Sequence, residues 1–420
     1  MTSEYSGTGY ASTEKKEKPW LSIVGIGEDG LQGVGRNAIE AIEAAEVVFG
    51  GKRHLELAAA AIHGEARRWP VPFDTDIGDV VALRGKRVCV LASGDPFFYG
   101  VGVTLLRRIK AGETVCYPSP SAFSLAAARL GWALQSVECV SLHGRSIDFL
   151  RPHLHAGARI IALTSDAHAP ALIAELLSDL GFGQSEFILL EALGGERERR
   201  RQVRAADFAF ADIDPLNVVA IDVVADEGAR ILPFTCGLDD SLFEHDGQIT
   251  KREIRAVTLS SLAPRRGELL WDIGAGSGSI GIEWMLSHPS LRAIAIEQHP
   301  ERAERIARNA EAFGVPGLEV MIGAAPAAFE GLPQPDAIFI GGGGSEAGVL
   351  DGGAMEALKP GGRLVANAVT LEMEAVLLAA HARHGGSMIR LDVSRVAAVG
   401  SMSGWRPAMP VTQWSWTKPW

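Results

Sequence analysis

The run LLWDIGAGSGSIGIE concentrates residues of chemical interest: Asp272 near the end of a short apolar stretch, then Gly274, Ala275, Gly276, Ser277 and Gly278, then a segment of helical period. Glycine tolerates a tight turn and removes the side chains that would hold a bound molecule away from the main chain. About twenty residues further on, Glu297 ends the next apolar stretch, IAIE, at the spacing where a carboxylate reaches both hydroxyls of a ribose. A glycine loop with an acid so placed points to a cofactor that carries a nucleoside. The competing reading is that the glycines only let a helix lie close to a strand, which would make the position of Glu297 a coincidence.

Which cofactor turns on charge. A dinucleotide lays a pyrophosphate over such a loop, and a carboxylate at Asp272 would repel it by on the order of several kcal/mol in a partly buried site. The same carboxylate favours a sulfonium with a free amino group, so S-adenosylmethionine is preferred to NAD. Downstream, Asp336 opens the stretch AIFI and four glycines, 341–344, follow it. They leave bare backbone at the end of a further expected strand, where open α/β sheets place their substrates; a flexible loop is the alternative.

The first half repeats the theme three times. LSIV leads into Gly25, Ile26, Gly27, Glu28 and Asp29; VCVLA leads into Ser93, Gly94, Asp95, Pro96 and FFYG; YPSPSAFS opens a helix near Ser121 and Ala122. Glu28 and Asp29 disfavour phosphate for the reason given for Asp272. Farther on, EALGGERERRR gathers Arg197, Arg199, Arg200 and Arg201, either as a solvated charge run or as anchors for substrate carboxylates.

The elements that must hold these loops follow from periodicity. Short runs rich in β-branched residues alternate with longer helical segments, the pattern of α/β units with parallel strands. Strands are expected at 20–26, 87–92, 158–163, 186–191 and 217–223, with helices at 36–45, 121–130 and 170–180. After a lapse into Gly, Pro, Asp and His between 226 and 247, a helix at 250–262 leads into strands at 268–273, 291–297, 318–322, 336–340 and 362–367. Helices are expected at 279–287, 300–313 and 371–384, and strands at 387–393 and 410–416 close the chain as an antiparallel pair.

Composition narrows the function. The 420 residues favour two domains, and 40 Lys+Arg against 51 Asp+Glu give a net charge of -11. Nucleic-acid binding draws on cationic neutralisation of phosphates, so nucleic acid is not expected as a partner. Cys89, Cys116, Cys139 and Cys236 stand singly, which indicates reduced thiols, with neither a disulfide framework nor zinc. Residues 1–18 read as a disordered polar tail without a signal sequence, and no segment suits a membrane, so a cytoplasmic location is expected.

With these neighbours, the second-half loop resembles the class I methyltransferases, whose D-x-G-x-G-x-G loop and following acid match Asp272, Gly274, Gly276, Gly278 and Glu297. Residues 19 to 225 resemble the tetrapyrrole methylase family. There a G-x-G loop, an S-G-D-P loop and a P-x-x-S-A segment line the S-adenosylmethionine cleft. These motifs fall on Gly25 and Gly27, on Gly94, Asp95 and Pro96, and on Ser121 and Ala122. Where the family often has proline after its first glycine loop, this chain has Glu28. In relatives of the second domain, residues matching Thr250, in GQITKREIRA, and Ala325 also touch the cofactor beside the glycine loop. An acid common in those relatives is replaced here by Ala324.

The order of the two domains resembles the two-domain precorrin methyltransferases of cobalamin biosynthesis. The resemblance implies an N-terminal tetrapyrrole-methylase α/β domain at 19–235, a linker at 236–247 and a class I, Rossmann-like domain at 248–420, with one S-adenosylmethionine site in each. It implies methylation of precorrin-6B at carbons 5 and 15 with loss of carbon dioxide from the carbon-12 acetate, giving precorrin-8. Carbon 5 falls to the first domain, and carbon 15 with the decarboxylation to the second. An enamine-like ring carbon attacks the methyl sulfonium directly, so neither a protein nucleophile nor a metal is required.

A polycarboxylate substrate calls for cations, and Arg197, Arg199, Arg395 and Arg406 are the candidates, with structural salt bridges the competing role for the last two. No catalytic acid or base is assigned; His245 and Asp246, just before Thr250, could move protons, but a lone histidine near a linker is more often a loop residue. Trp405, Trp414, Trp416 and Trp420 either floor the macrocycle or cover a core or a homo-oligomer interface. The rivals are a single-site methyltransferase of another small molecule or RNA with a regulatory first domain, a cofactor sensor, and an NAD-dependent oxidoreductase.

Overall fold

A computed structural model describes residues 19–70, 73 and 76–420, so the expected tail at 1–18 lies outside the described residues. The chain forms two compact units. One comprises the residues up to Arg145 together with Gly157–Asp226, the other Ser146–Ala156 together with Glu227–Trp420.

The first unit holds two sheets. β1 (Leu21–Ile26), β2 (Val47–Gly50), β3 (Glu65–Arg68), β4 (Val88–Ser93) and β5 (Thr114–Tyr117) pair in the order β3-β2-β4-β1-β5, all parallel. Leu21 and Ile23 face one core cluster, Val24 and Ile26 the other. Burial on both faces explains why these strands read as unbroken apolar runs. Helices α1 (Arg36–Glu43) and α2 (Lys52–Leu57) follow β1 and β2.

The second sheet contains β6 (Glu138–Ser141), β7 (Arg159–Leu163), β8 (Glu186–Glu191), β9 (Arg199–Arg204) and β10 (Asn217–Asp222), in the order β6-β7-β10-β8-β9. Here the expectation of parallel strands is corrected: β10 runs antiparallel to both β7 and β8, and β9 antiparallel to β8. The central strands are buried on both faces all the same, so their hydrophobic pattern carries no information on direction. Helices α3 (Ala122–Leu130) and α4 (Ala169–Asp179) belong to this half, and α3 covers the sheet with Phe123, Ala126 and Ala127.

In the second unit, α5 (Arg252–Leu262) precedes β11 (Leu269–Ile273), α6 (Ser279–Leu286), β12 (Arg292–Glu297), α7 (Pro300–Ala312), β13 (Glu319–Ile322), β14 (Ala337–Ile340), β15 (Arg363–Ala368) and α8 (Leu371–His384). After these come β16 (Ser387–Leu391), a hairpin of β17 (Ser394–Val399) with β18 (Met402–Pro407), and β19 (Val411–Thr417). The seven-stranded order is β13-β12-β11-β14-β15-β19-β16, with β19 antiparallel to both neighbours. From β11 the chain builds outward to one edge, then returns at β14 and builds toward the other. The crevice at the carboxyl ends of β11 and β14 is therefore the switch point where doubly wound sheets bind ligands.

Stretch 236–247, read from the sequence as a linker, is built into this unit: Leu238 and Phe243 lie in its core. Ser146–Ala156 packs here too, with the His155 ring stacked on Phe234 at 4.2 Å. Trp414 is fully buried and stacks with Trp416 at 6.4 Å, whereas Trp405 and Trp420 are exposed.

Candidate functional site

The second-unit loop closes β11 at the switch point. Gly274, Gly276 and Gly278 all have φ between 61° and 76°, the left-handed region. At Gly274 the need for glycine is also steric, because a Cβ there would stand 2.6 Å from the Gly342 carbonyl oxygen. The two glycine-bearing loops thus lie main chain against main chain. Glu297, buried at the end of β12, accepts the Gly276 N–H at 2.9 Å through Oε2 and the His299 N–H at 3.0 Å through Oε1. Its carboxylate, expected from the sequence to reach ribose hydroxyls, therefore also sets the conformation of the glycine loop. Ala275 and Gly276 are half-buried, and the Ser277 hydroxyl is buried without a hydrogen-bond partner.

Asp272 lies beneath this loop. Its residue is 1% exposed, Oδ2 accepts the Gly281 N–H of α6 at 2.9 Å, and Oδ1 is buried without a partner. The carboxylate thus acts on the loop through α6 and presents no face to solvent. Burial, with a smaller push from Glu297, raises its carboxyl from 3.8 to about 7. The folded protein then keeps a proton that the unfolded chain releases near pH 4, so this group's contribution to stability falls as pH rises from about 4 through about 7. The unfolding midpoint of the second unit is expected to drop between about pH 5.5 and about pH 8, and Asp272→Asn to flatten that drop; equal slopes in both proteins would contradict the assignment.

Two side chains that no motif announced fix the segment before α5. Asn309, on α7 and 1% exposed, holds Glu244 by both main-chain groups, its Oδ1 accepting from N at 2.9 Å and its Nδ2 donating to O at 3.0 Å. The same Nδ2 donates to the Ser277 carbonyl at 2.9 Å, tying segment and glycine loop to one amide. Arg255, fully buried on α5, donates to Glu283 at 2.5 Å, to Asp240 at 3.0 Å and to the Thr250 carbonyl. The Gln248 N–H, and then Arg302 and Arg305 beside it, hold the Asp246 carboxyl far below its ordinary range. Asp246 is thereby a fixed anion, and His245 takes the Gly247 N–H at 3.0 Å. Ala325 is half-buried just after β13, while Ala324 is exposed.

In the first unit the three loops converge as closely. A Cβ on Gly25 would stand 1.8 Å from the Gly94 oxygen and 2.7 Å from the Ser119 nitrogen. The Ser119 N–H donates to Gly94 O at 3.2 Å, and the Ser119 hydroxyl to Gly25 O at 2.8 Å. Asp95 accepts the Phe97 N–H at 2.8 Å, which fixes the turn through Pro96. Ser121 caps α3 by accepting the Ser124 N–H at 3.1 Å, and Ala122 begins the helix. Gly27 follows β1 directly. The loops after β1, β4 and β5 thus form one surface of bare backbone.

The arginines divide. Arg199 binds the fully buried Glu191 through two N–H groups at 2.8 and 2.7 Å, and Arg201 grips the same carboxylate at 3.0 Å. The run is therefore an edge strand whose alternate side chains neutralise a buried acid. Arg197 pairs with Asp214 and faces Glu28. Arg395 donates to Glu253 at 2.5 Å, and Arg406 is its exposed cross-strand neighbour. All four cysteines are free; burial pushes the Cys89 thiol up to about 12, whereas Cys236 is exposed. No helix among the described residues is long and apolar enough to cross a membrane.

Comparison with known proteins assigns the family. Residues 21–209 match the tetrapyrrole (corrin/porphyrin) methylases, and residues 241–418 the precorrin methyltransferase domain. The precorrin-6Y C(5,15)-methyltransferase (decarboxylating) of a Sinorhizobium species is 64% identical over 400 residues, which cover 95% of this chain and 97% of that protein. Its namesake from Mycobacterium tuberculosis is 41% identical over 403 residues, 95% of this chain and all of that protein. The cobalt-precorrin-6B C(15)-methyltransferase (decarboxylating) of Salmonella typhimurium is 34% identical over 180 residues, 41% of this chain and 92% of that protein. Related to the first of these along nearly its whole length, the chain belongs to the precorrin-6Y C(5,15)-methyltransferase (decarboxylating) family.

Proposed function

We propose that the two units divide the family's reaction, the first methylating carbon 5 of precorrin-6B and the second methylating carbon 15 and releasing carbon dioxide from the carbon-12 acetate to give precorrin-8, each with its own S-adenosylmethionine. The observation that carries this reading is the repeated cradle. In each unit the central parallel strands end in loops so close that a Cβ at Gly25 or Gly274 would collide with backbone, and such loops admit a flat nucleoside against the main chain. The orphaned Ser277 hydroxyl offers a further polar contact in the second. The Salmonella relative, whose name mentions only carbon 15 and decarboxylation, aligns over the length of a single domain.

When bound, S-adenosylmethionine supplies an electrophilic methyl on a positively charged sulfur. In the second unit, Glu297 has lone pairs left for ribose hydroxyls while it holds Gly276, and Thr250, Ala275, Ser277 and Ala325 form the walls. In the first, Gly25, Gly27, Gly94, Asp95, Pro96, Ser121 and Ala122 do so. Their part is to orient and to exclude water, since an enamine-like carbon needs no protein nucleophile.

Titration calorimetry of the full chain is expected to give two equivalents of S-adenosylmethionine. Gly276→Val, at φ 61°, is expected to leave one equivalent and to remove the carbon-15 methyl and the decarboxylation while sparing carbon 5. One equivalent in the unaltered protein, or loss of both methyl groups in the variant, would defeat the division of labour.

A further inference from the structure

Glu28 stands where the resemblance leads to a proline, and its surroundings give it a different task. Its side chain is only 11% exposed, yet it meets two arginines from separate segments of the first unit: Arg53 of α2 contacts Oε1, and Arg197, in the loop between β8 and β9, lies 3.8 Å from Oε2. Arg53 is fixed from behind, its Nη2 donating to the Ser93 hydroxyl at 3.1 Å and to His54 Nε2 at 3.1 Å, while His54 Nε2 and the Ser93 hydroxyl lie 2.8 Å apart. Burial, then the Arg53 charge, holds His54 down to about 4, so the ring is neutral and adds no competing cation. Ser93 opens the S-G-D-P loop, which places the whole arrangement beside the cofactor cradle.

We propose that Arg53 and Arg197 form a receiving site for one side-chain carboxylate of the tetrapyrrole, with the Glu28 carboxylate occupying that site until the substrate displaces it. The inference rests on carbon-5 methylation belonging to the first unit. Two guanidinium groups on one carboxylate are the arrangement by which proteins take up free carboxylates, so Glu28 shows the chemistry of the ligand that fits. The arginine side chains keep 37% and 69% of their surface open to an incoming group. The Arg197 pair, at 3.8 Å and with the arginine 69% exposed, is loose, so on that arm exchange of one carboxylate for another costs little, while Arg53 offers the incoming group the closer contact that Glu28 now holds. Arg197 keeps Asp214 as a second partner and stays oriented during the exchange. A purely structural latch between the two sheets is the competing role for Glu28.

The two roles give opposite signs. If Glu28 competes with substrate, Glu28→Gln frees the arginines and lowers KM for the tetrapyrrole in carbon-5 methylation by about threefold, while Arg53→Gln raises it by about tenfold and Arg197→Gln moves it the same way. S-adenosylmethionine affinity, measured on the same full-length proteins, stays at the unaltered value and shows that each variant is folded. If Glu28 is a latch, Glu28→Gln and Arg53→Gln break the same contact and both raise KM or lower kcat; that result, or no change in either, overturns the proposal. Should a cradle variant such as Gly94→Val leave carbon-5 methylation intact, the assignment of that reaction to the first unit fails instead.

Discussion

Gly25→Ala is expected to produce a chain that adds one methyl group instead of two, at carbon 15, and still releases carbon dioxide. A single methyl is the smallest addition possible, yet it would stand 1.8 Å from one backbone atom and 2.7 Å from another, and neither can turn aside as a flexible side chain would. The loops after β1, β4 and β5 must then part, and misplacing a cofactor by about 1 Å costs on the order of 100-fold in rate. Mass spectrometry of the product would read the missing methyl directly, and calorimetry would show one binding equivalent. A normal yield of the doubly methylated product would mean that the convergence of Gly25, Gly94 and Ser119 is unrelated to carbon-5 chemistry.

The largest effect on stability is expected at Arg255. Arg255→Met keeps a stem over the Phe243 ring, where the guanidinium carbon now sits 4.8 Å from the centroid, and removes the charge together with its N–H donors. Glu283, 3% exposed, would keep the N–H groups of Gly237 and Leu238 but lose its cation. Breaking a buried pair from one side costs about 3–5 kcal/mol. Chemical denaturation of the second unit is expected to show a loss of that order, and Arg255→Met/Glu283→Gln to recover part of it by removing the stranded charge. No recovery in the double variant would place the loss in the carbonyl groups of Leu238 and Thr250 that Arg255 also serves.

Much of this architecture is legible in the amino-acid sequence where burial and local stop signals agree. The strand at Glu186–Glu191 and the helix at Leu371–His384 fall at their expected limits, the helix because Thr370 accepts the Met373 N–H at one end and Gly385 takes φ 73° at the other. The hairpin of β17 and β18 went unread because its strands are mostly exposed and rich in Ala, Ser and Gly, leaving no alternation to detect. The antiparallel course of β10 is invisible for the opposite reason, since strands buried on both faces look alike in either direction. Strand β9 was hidden in RRRQVR because its alternate arginines satisfy Glu191 rather than a hydrophobic face.

The cradles themselves were legible because glycines and an acid at a fixed interval state a backbone requirement within one stretch of chain. The residues that secure them were not. Asn309 acts across 65 residues on Glu244, and Arg53 across 25 on Glu28, distances at which sequence carries no period. Asp272 shows a further gap: its type and position follow from the motif, but its complete burial and the resulting hold on its proton depend on how α6 covers β11.

The excursion at Ser146–Ala156 bears on biosynthesis. A ribosome releases this piece of the second unit roughly seventy residues before the next part of it, in the order of seconds at ordinary translation rates, while Gly157–Asp226 still has to complete the first unit. The nascent chain must therefore park an unfinished fragment, with Leu150 and Leu154 awaiting burial, until the downstream partners emerge. A gene split at any single point after Ala156 and before Glu227 would strand that fragment on the wrong polypeptide, so division into two autonomous proteins calls for its replacement as well as a cut.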